Sequence, residues 1–197
     1  MNDIQLLNQQ DALQHEADEV VKELRLEELL ATAGTPVRVG SSALGLMVWR
    51  DLDITVVCSK LQVDEIARIA SRLMTSNGVR ELRFLNDSGD FRTDASYPDG
   101  LYLGVKYTSS KGKDWSMDLW FVDEPDQQPD LKHVATMPAR LTPELRHAIL
   151  QIKSSWAARQ EYGKEVKSYD IYTAVLEDDV RKPEQFEAWL RKKKLDP

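Results

Sequence analysis

The chain has 197 residues, 42% hydrophobic and 30% charged, enough for one sizeable domain or a small domain with a helical annex, and not a collagen, coiled-coil or disordered composition. Lys and Arg number 26 against 33 Asp and Glu, a formal charge of -7 that argues against coating extended nucleic acid. A lone cysteine, Cys58, allows no internal disulfide, and no run approaches the roughly 18 apolar residues of a membrane span, so a reduced, soluble, cytoplasmic chain without a secretory signal is expected.

From Ile4 to about Ala31 there is neither Gly nor Pro, and Leu13, Ala17, Val20 and Leu24 recur at helical spacing, which predicts one amphipathic helix with an acidic, solvated outer face. Gly34, Thr35 and Pro36 stop it. A short extended run, Pro36 to Val39, leads into Gly40-Ser41-Ser42, a small-residue stretch to Gly45, and a second strand from Leu52 to Cys58. Val63, Ile66, Ala67, Ala70, Leu73 and Met74 share one helical face, with Asp64 and Glu65 in the first turn and Asn77-Gly78 at the exit. Val79 to Leu85 again reads as extended. Residues 86 to 100, rich in Asp, Ser, Gly and Pro, read as loop; the acid spacing there lacks the glycine and distal glutamate of a calcium loop. Leu101 to Thr108 and Trp115 to Val122 form a predicted hairpin.

Residues 1–123 are thus read as the core with its N-terminal helix, 124–141 as a polar linker, and 142–197 as a C-terminal helical region. In the last, Thr142-Pro143-Glu144 is a start signal, Ser168 is a candidate cap for a second helix through Val180, and Pro183 begins a third with Phe186, Trp189 and Leu190 on its apolar face. The fold class expected is α+β, a mixed sheet flanked by helices.

The chemistry concentrates in two places. In Asp51-Leu52-Asp53-Ile54, strand alternation puts both acids on one face and the aliphatic residues on the other. Two like charges on a core strand cost several kcal/mol each, on the order of a desolvated carboxylate, unless paired or metal-bound. Asp118 is a third acid, in the middle of the apolar run Trp115 to Val122. Were the two strands neighbours, three carboxylates would converge, enough oxygen ligands for two Mg²⁺ ions about 3.5–4 Å apart, the arrangement of phosphoryl or nucleotidyl transfer. Gly40-Ser41 supplies a turn where backbone and hydroxyl can approach phosphate.

With these elements the sequence resembles the DNA polymerase β-type nucleotidyltransferase superfamily over about residues 36 to 123: a Gly-Ser turn after a strand, an Asp-x-Asp strand, and a third acid on a later strand. Gly45 matches the usual second glycine, whereas Leu44 and Arg50 depart from the family pattern and the gap before Asp51 is slightly longer. The resemblance implies that Asp51, Asp53 and Asp118 are catalytic metal ligands for two Mg²⁺ ions, that Gly40, Ser41 and Ser42 bind nucleotide phosphates, and that Lys153 and Tyr162 on the first C-terminal helix are further nucleotide contacts. It implies transfer of an NMP from an NTP to a hydroxyl with release of pyrophosphate. The acidic balance favours a small-molecule acceptor, cationic like an aminoglycoside or lincosamide antibiotic, with a protein hydroxyl as the alternative. A competing reading is a non-catalytic nucleotide- or partner-binding protein, antitoxin-like, that keeps the fold. Lys106, Lys111 and Lys113 are read as a solvated hairpin tip, Trp115, Trp120 and Trp156 as packing residues, His15, His133 and His147 as ordinary histidines, and Cys58 as a small buried side chain.

Overall fold

A computed structural model describes residues 3–94 and 97–195. Ala95 and Ser96 of the expected loop, and the outermost residues of the core and helical region, lie outside the described residues. The chain divides into two compact units: one comprises Gln14–Gly45 and Arg50–Thr136, the other Met1–Leu13, Leu46–Trp49 and Met137–Pro197.

The first unit is built on a five-stranded mixed sheet: β1 (Thr35–Val39), β2 (Asp51–Val57), β3 (Val79–Asp87), β4 (Gly100–Thr108) and β5 (Asp114–Val122), in the order β1-β2-β5-β4-β3. Only β2 and β5 run parallel; the other neighbours are antiparallel. Leu52, Ile54 and Val56 of β2, Leu101, Leu103 and Val105 of β4, and Met117, Leu119 and Phe121 of β5 make one buried face, as period-2 alternation requires. Helix α4 (Val63–Met74) buries Ile66, Ile69, Ala70 and Leu73 and packs on β3 and β4.

The expected single N-terminal helix is two. Helix α1 (Asp3–Glu23) ends where Arg25 turns left-handed at φ 50°, and α2 (Leu26–Leu30) restarts beyond it. In an unbroken helix Leu24 and Leu26 would point to opposite sides. The break lets both be buried, and an Arg25–Glu28 ion pair accompanies the strained residue. A second difference lies at 86–100: β3 continues to Asp87, a single 3-10 turn occupies Gly89–Phe91, and β4 begins at Gly100. The segment read as a linker carries helix α5 (Pro129–Thr136), which packs beside β1 and the short helix α3 (Gly40–Leu44).

In the second unit α6 (Pro143–Trp156), α7 (Ser168–Glu177) and α8 (Pro183–Leu195) pack pairwise. Thr142 caps α6 as expected, its side chain accepting the Leu145 N–H at 3.3 Å. Ser168 does not cap α7. It is the first helical residue and shares a 2.8 Å hydrogen bond with the Tyr162 hydroxyl, while the Asp170 carboxylate accepts the N–H of the actual cap, Lys167, at 2.7 Å. Phe186 is fully buried and meets the Trp156 ring edge-on at 5.5 Å.

Candidate active site

The sheet face opposite the buried one carries the polar residues of β2, β4 and β5. Its decisive feature is the parallel register of β2 and β5, which sets Asp53 directly beside Asp118 and Asp51 beside Ser116. One oxygen of each of Asp51, Asp53 and Asp118 lies within 4.8 Å of the others, and all three residues are half-buried. Among the described residues this is the one cluster of metal-ligating side chains. An all-carboxylate donor set on a rigid strand pair fits a hard divalent cation such as Mg²⁺.

The Gly40 turn is locked to the same cluster. Val39 pairs with Asp53 across β1 and β2, so the chain turns into α3 immediately over that carboxylate. Gly40 has φ +63°, and a Cβ there would stand 2.1 Å from Asp53 Oδ2. Only glycine satisfies both constraints. Ser41 and Ser42 follow in the first turn of α3 and are buried. The Ser42 hydroxyl is turned back to the Val39 carbonyl at 3.3 Å. Gly45 ends α3 in the left-handed region at φ +64°. Of the two departures from the family pattern, Leu44 is buried, and Arg50 makes a two-point ion pair with Glu16 of α1, Nε to Oε2 at 2.6 Å and a second contact at 3.3 Å.

Sequence reasoning missed Tyr102. It stands on β4 two residues before Gly104, the register partner of Asp118, and its hydroxyl donates to Asp118 Oδ1 at 2.5 Å. Burial, reinforced by that hydrogen bond, pushes the phenol well above the usual tyrosine range, so it remains a donor. The signal was present in the hairpin itself, because alternation puts Tyr102, Gly104 and Lys106 on the face that carries Asp118. Tyr102 also stacks at a tilt on Trp120, ring centroids 5.0 Å apart.

The remaining candidates are otherwise engaged. Lys153 and Tyr162 belong to the helical unit and are buried there: the Lys153 ammonium donates to the Leu46 carbonyl at 2.7 Å and the Tyr172 hydroxyl at 3.2 Å, whereas Tyr162 lies not on the first helix as expected but past its end at Trp156, in the connection to α7, its ring centroid 4.7 Å from that of Trp49. Lys106 donates to Ser116 Oγ at 2.7 Å, on the cluster's face, and Lys111 pairs with Glu19. Trp115 and Trp156 are core residues, but Trp120 is only half-buried, on the carboxylate face. Cys58 is buried.

No protein-family model matches the chain, and no curated protein matches it in sequence. Solved structures do match. A Cid1 poly(U) polymerase mutant bound to MgATP superposes with a TM-score of 0.60 at 22% identity, covering 84% of this chain and 50% of that one. A cytoplasmic RNA terminal U-transferase gives a TM-score of 0.56 at 19% identity over 84% of this chain and 47% of that one. A further Cid1 poly(U) polymerase structure gives 0.51 at 20% identity over 89% and 55%. The chain shares the fold of these poly(U) polymerase and U-transferase structures. It spans about half the length of the solved nucleotidyltransferases it matches. No helix among the described residues is long and apolar enough to cross a membrane.

Proposed function

We propose that this nucleotidyltransferase-fold chain moves a nucleoside monophosphate from an NTP to an acceptor hydroxyl and releases pyrophosphate. The observation that carries this reading is the convergence of Asp51, Asp53 and Asp118 beside a glycine that the Asp53 carboxylate itself requires. Two Mg²⁺ ions held by these carboxylates would supply the positive charge that offsets the three aspartates and the triphosphate. Asp51 and Asp53 would hold the metal, and Asp118 would add a ligand through the oxygen that Tyr102 leaves open and so help activate the acceptor hydroxyl, whose proton leaves to solvent. The Ser41 hydroxyl and the approach of backbone allowed by Gly40 hold the nucleotide phosphates, with Ser42 keeping the turn in shape.

For the acceptor, a charge of -7 supports a small, cationic hydroxyl compound over a polyanion. The RNA-directed activities named for the matched structures make an RNA end the alternative to exclude. Pyrophosphate release, measured with each NTP and Mg²⁺ against hydroxylated amines, a protein hydroxyl donor and a uridine-ended oligoribonucleotide, decides the acceptor. Turnover with an amine-bearing small molecule and its loss in Asp53→Asn is the expected result; turnover with the oligoribonucleotide alone would overturn the acceptor class.

A further inference from the structure

Across the carboxylate face, the register lines up Asp53, Asp118 and Gly104 on three adjacent strands. Gly104 is a mid-strand glycine, paired on both sides with β3 and β5, where an ordinary side chain would normally sit. A Cβ at Gly104 would stand 2.5 Å from the Tyr102 hydroxyl oxygen. The phenol therefore lies across the space a side chain at 104 would fill, and from there it reaches Asp118 Oδ1. We infer that Tyr102, seated over Gly104, is a positioning residue that fixes the Asp118 carboxylate and leaves it one oxygen for the metal. This rests on the proposed metal-binding role of the three aspartates.

The physical need is plain. Asp118 sits within 4.8 Å of two other carboxylates, and mutual repulsion would swing an untethered side chain away from the position in which the three oxygens share a cation. Tyr102 tethers Asp118 by a hydrogen bond, and its ring is itself held against Trp120. A hydroxyl donor with no charge of its own steadies the carboxylate without displacing the cation. Groups one step removed from a metal ligand commonly alter metal affinity by about 10–100-fold when removed.

The test uses Mn²⁺ as the probe, its binding read from the electron paramagnetic resonance signal of the free ion, on wild type, Tyr102→Phe, Gly104→Ala and Asp118→Asn. Tyr102→Phe keeps the ring and removes one oxygen; Gly104→Ala removes no polar atom, but its Cβ displaces the Tyr102 hydroxyl. Both variants are expected to bind Mn²⁺ at least about tenfold more weakly than wild type. In pyrophosphate release, Tyr102→Phe should require more metal yet recover wild-type kcat when Mn²⁺ is saturating, a split that a packing role would not produce, and Asp118→Asn should not recover. Tyr102→Phe binding Mn²⁺ as tightly as wild type, or losing kcat at every metal concentration, would overturn the inference while leaving the proposed function standing. Wild type that binds no Mn²⁺ would overturn both.

Discussion

Gly40→Ala probes the joint between phosphate turn and metal site. Two penalties meet there: a left-handed backbone, φ +63°, and a Cβ placed 2.1 Å from Asp53 Oδ2. The backbone penalty for an L-residue in that region is about 1–2 kcal/mol. To regain ordinary contact the Asp53 carboxylate must retreat by about 1 Å, and forced repacking of that kind costs about 1–3 kcal/mol more. Gly112→Ala is the matched control, because Gly112 has φ +70° at the hairpin turn with nothing within 4 Å of its added Cβ. Urea unfolding should therefore show a loss of about 2–5 kcal/mol for Gly40→Ala against about 1–2 for Gly112→Ala. Mn²⁺ titration should separate them further: Gly112→Ala binds like wild type, and Gly40→Ala loses most of its affinity because the displaced ligand is Asp53. Equal stability losses, or undiminished Mn²⁺ binding by Gly40→Ala, would refute the claim that the glycine exists to admit that carboxylate.

Other consequences follow from the same structure. Asp53→Asn removes one of three mutually repelling charges, so without metal its thermal midpoint should equal or exceed that of wild type, while the rise on adding Mg²⁺ disappears; a large metal-free loss would mean the carboxylate is a structural group. Arg50 beside Glu16, and the Ser110 and Tyr107 hydroxyls bonded to Glu23, hold both carboxyls below the ordinary glutamate value of 4.5. With folded values below unfolded ones, their stabilisation is complete above about pH 4.5 and is lost as the pH falls through the lowered folded values. Urea midpoints from pH 6 down to pH 3 should decline, less steeply in Arg50→Ala, and an unchanged slope in that variant would contradict the assignment. Burial pushes the Cys58 thiol up to about 11. It should resist Ellman's reagent at pH 8 until urea unfolds the chain, whereas prompt native reaction would show the strand end to be open. Lys153→Met leaves the Leu46 carbonyl and Tyr172 hydroxyl without their buried donor and should cost about 1–3 kcal/mol in urea unfolding.

What could be read from the sequence was what depends on neighbouring residues. Period-2 alternation placed Asp51 and Asp53 on one face, and the hydrophobic spacing from Val63 to Met74 marked the span of α4, although Val63, Ala67 and Met74 of the expected apolar face are exposed and Ile69 is buried instead. The approach of Asp118 to Asp53 depends on a parallel pairing of strands more than sixty residues apart, which alternation alone does not specify; the family resemblance supplied it. Tyr102 escaped notice because its role arises from an absence, the missing side chain of Gly104 one pleat further along. The break at Arg25 was hidden for a different reason. Arginine is an ordinary helix former, and only the two-residue interval between Leu24 and Leu26 hinted that one helix could not bury both. Lys153 illustrates the converse: four residues after Ile149 and three before Trp156, it shares the buried stripe of α6, and the structure shows the ammonium already held by a carbonyl and a hydroxyl.

The most direct measurement is calorimetric titration of ATP, GTP, CTP and UTP into wild type and Asp53→Asn, each with and without Mg²⁺. A carboxylate-held metal site for nucleotide gives binding of at least one NTP by wild type that requires Mg²⁺ and vanishes in Asp53→Asn. Wild type that binds none of the four, or binding that survives both chelation and the substitution, would contradict the account.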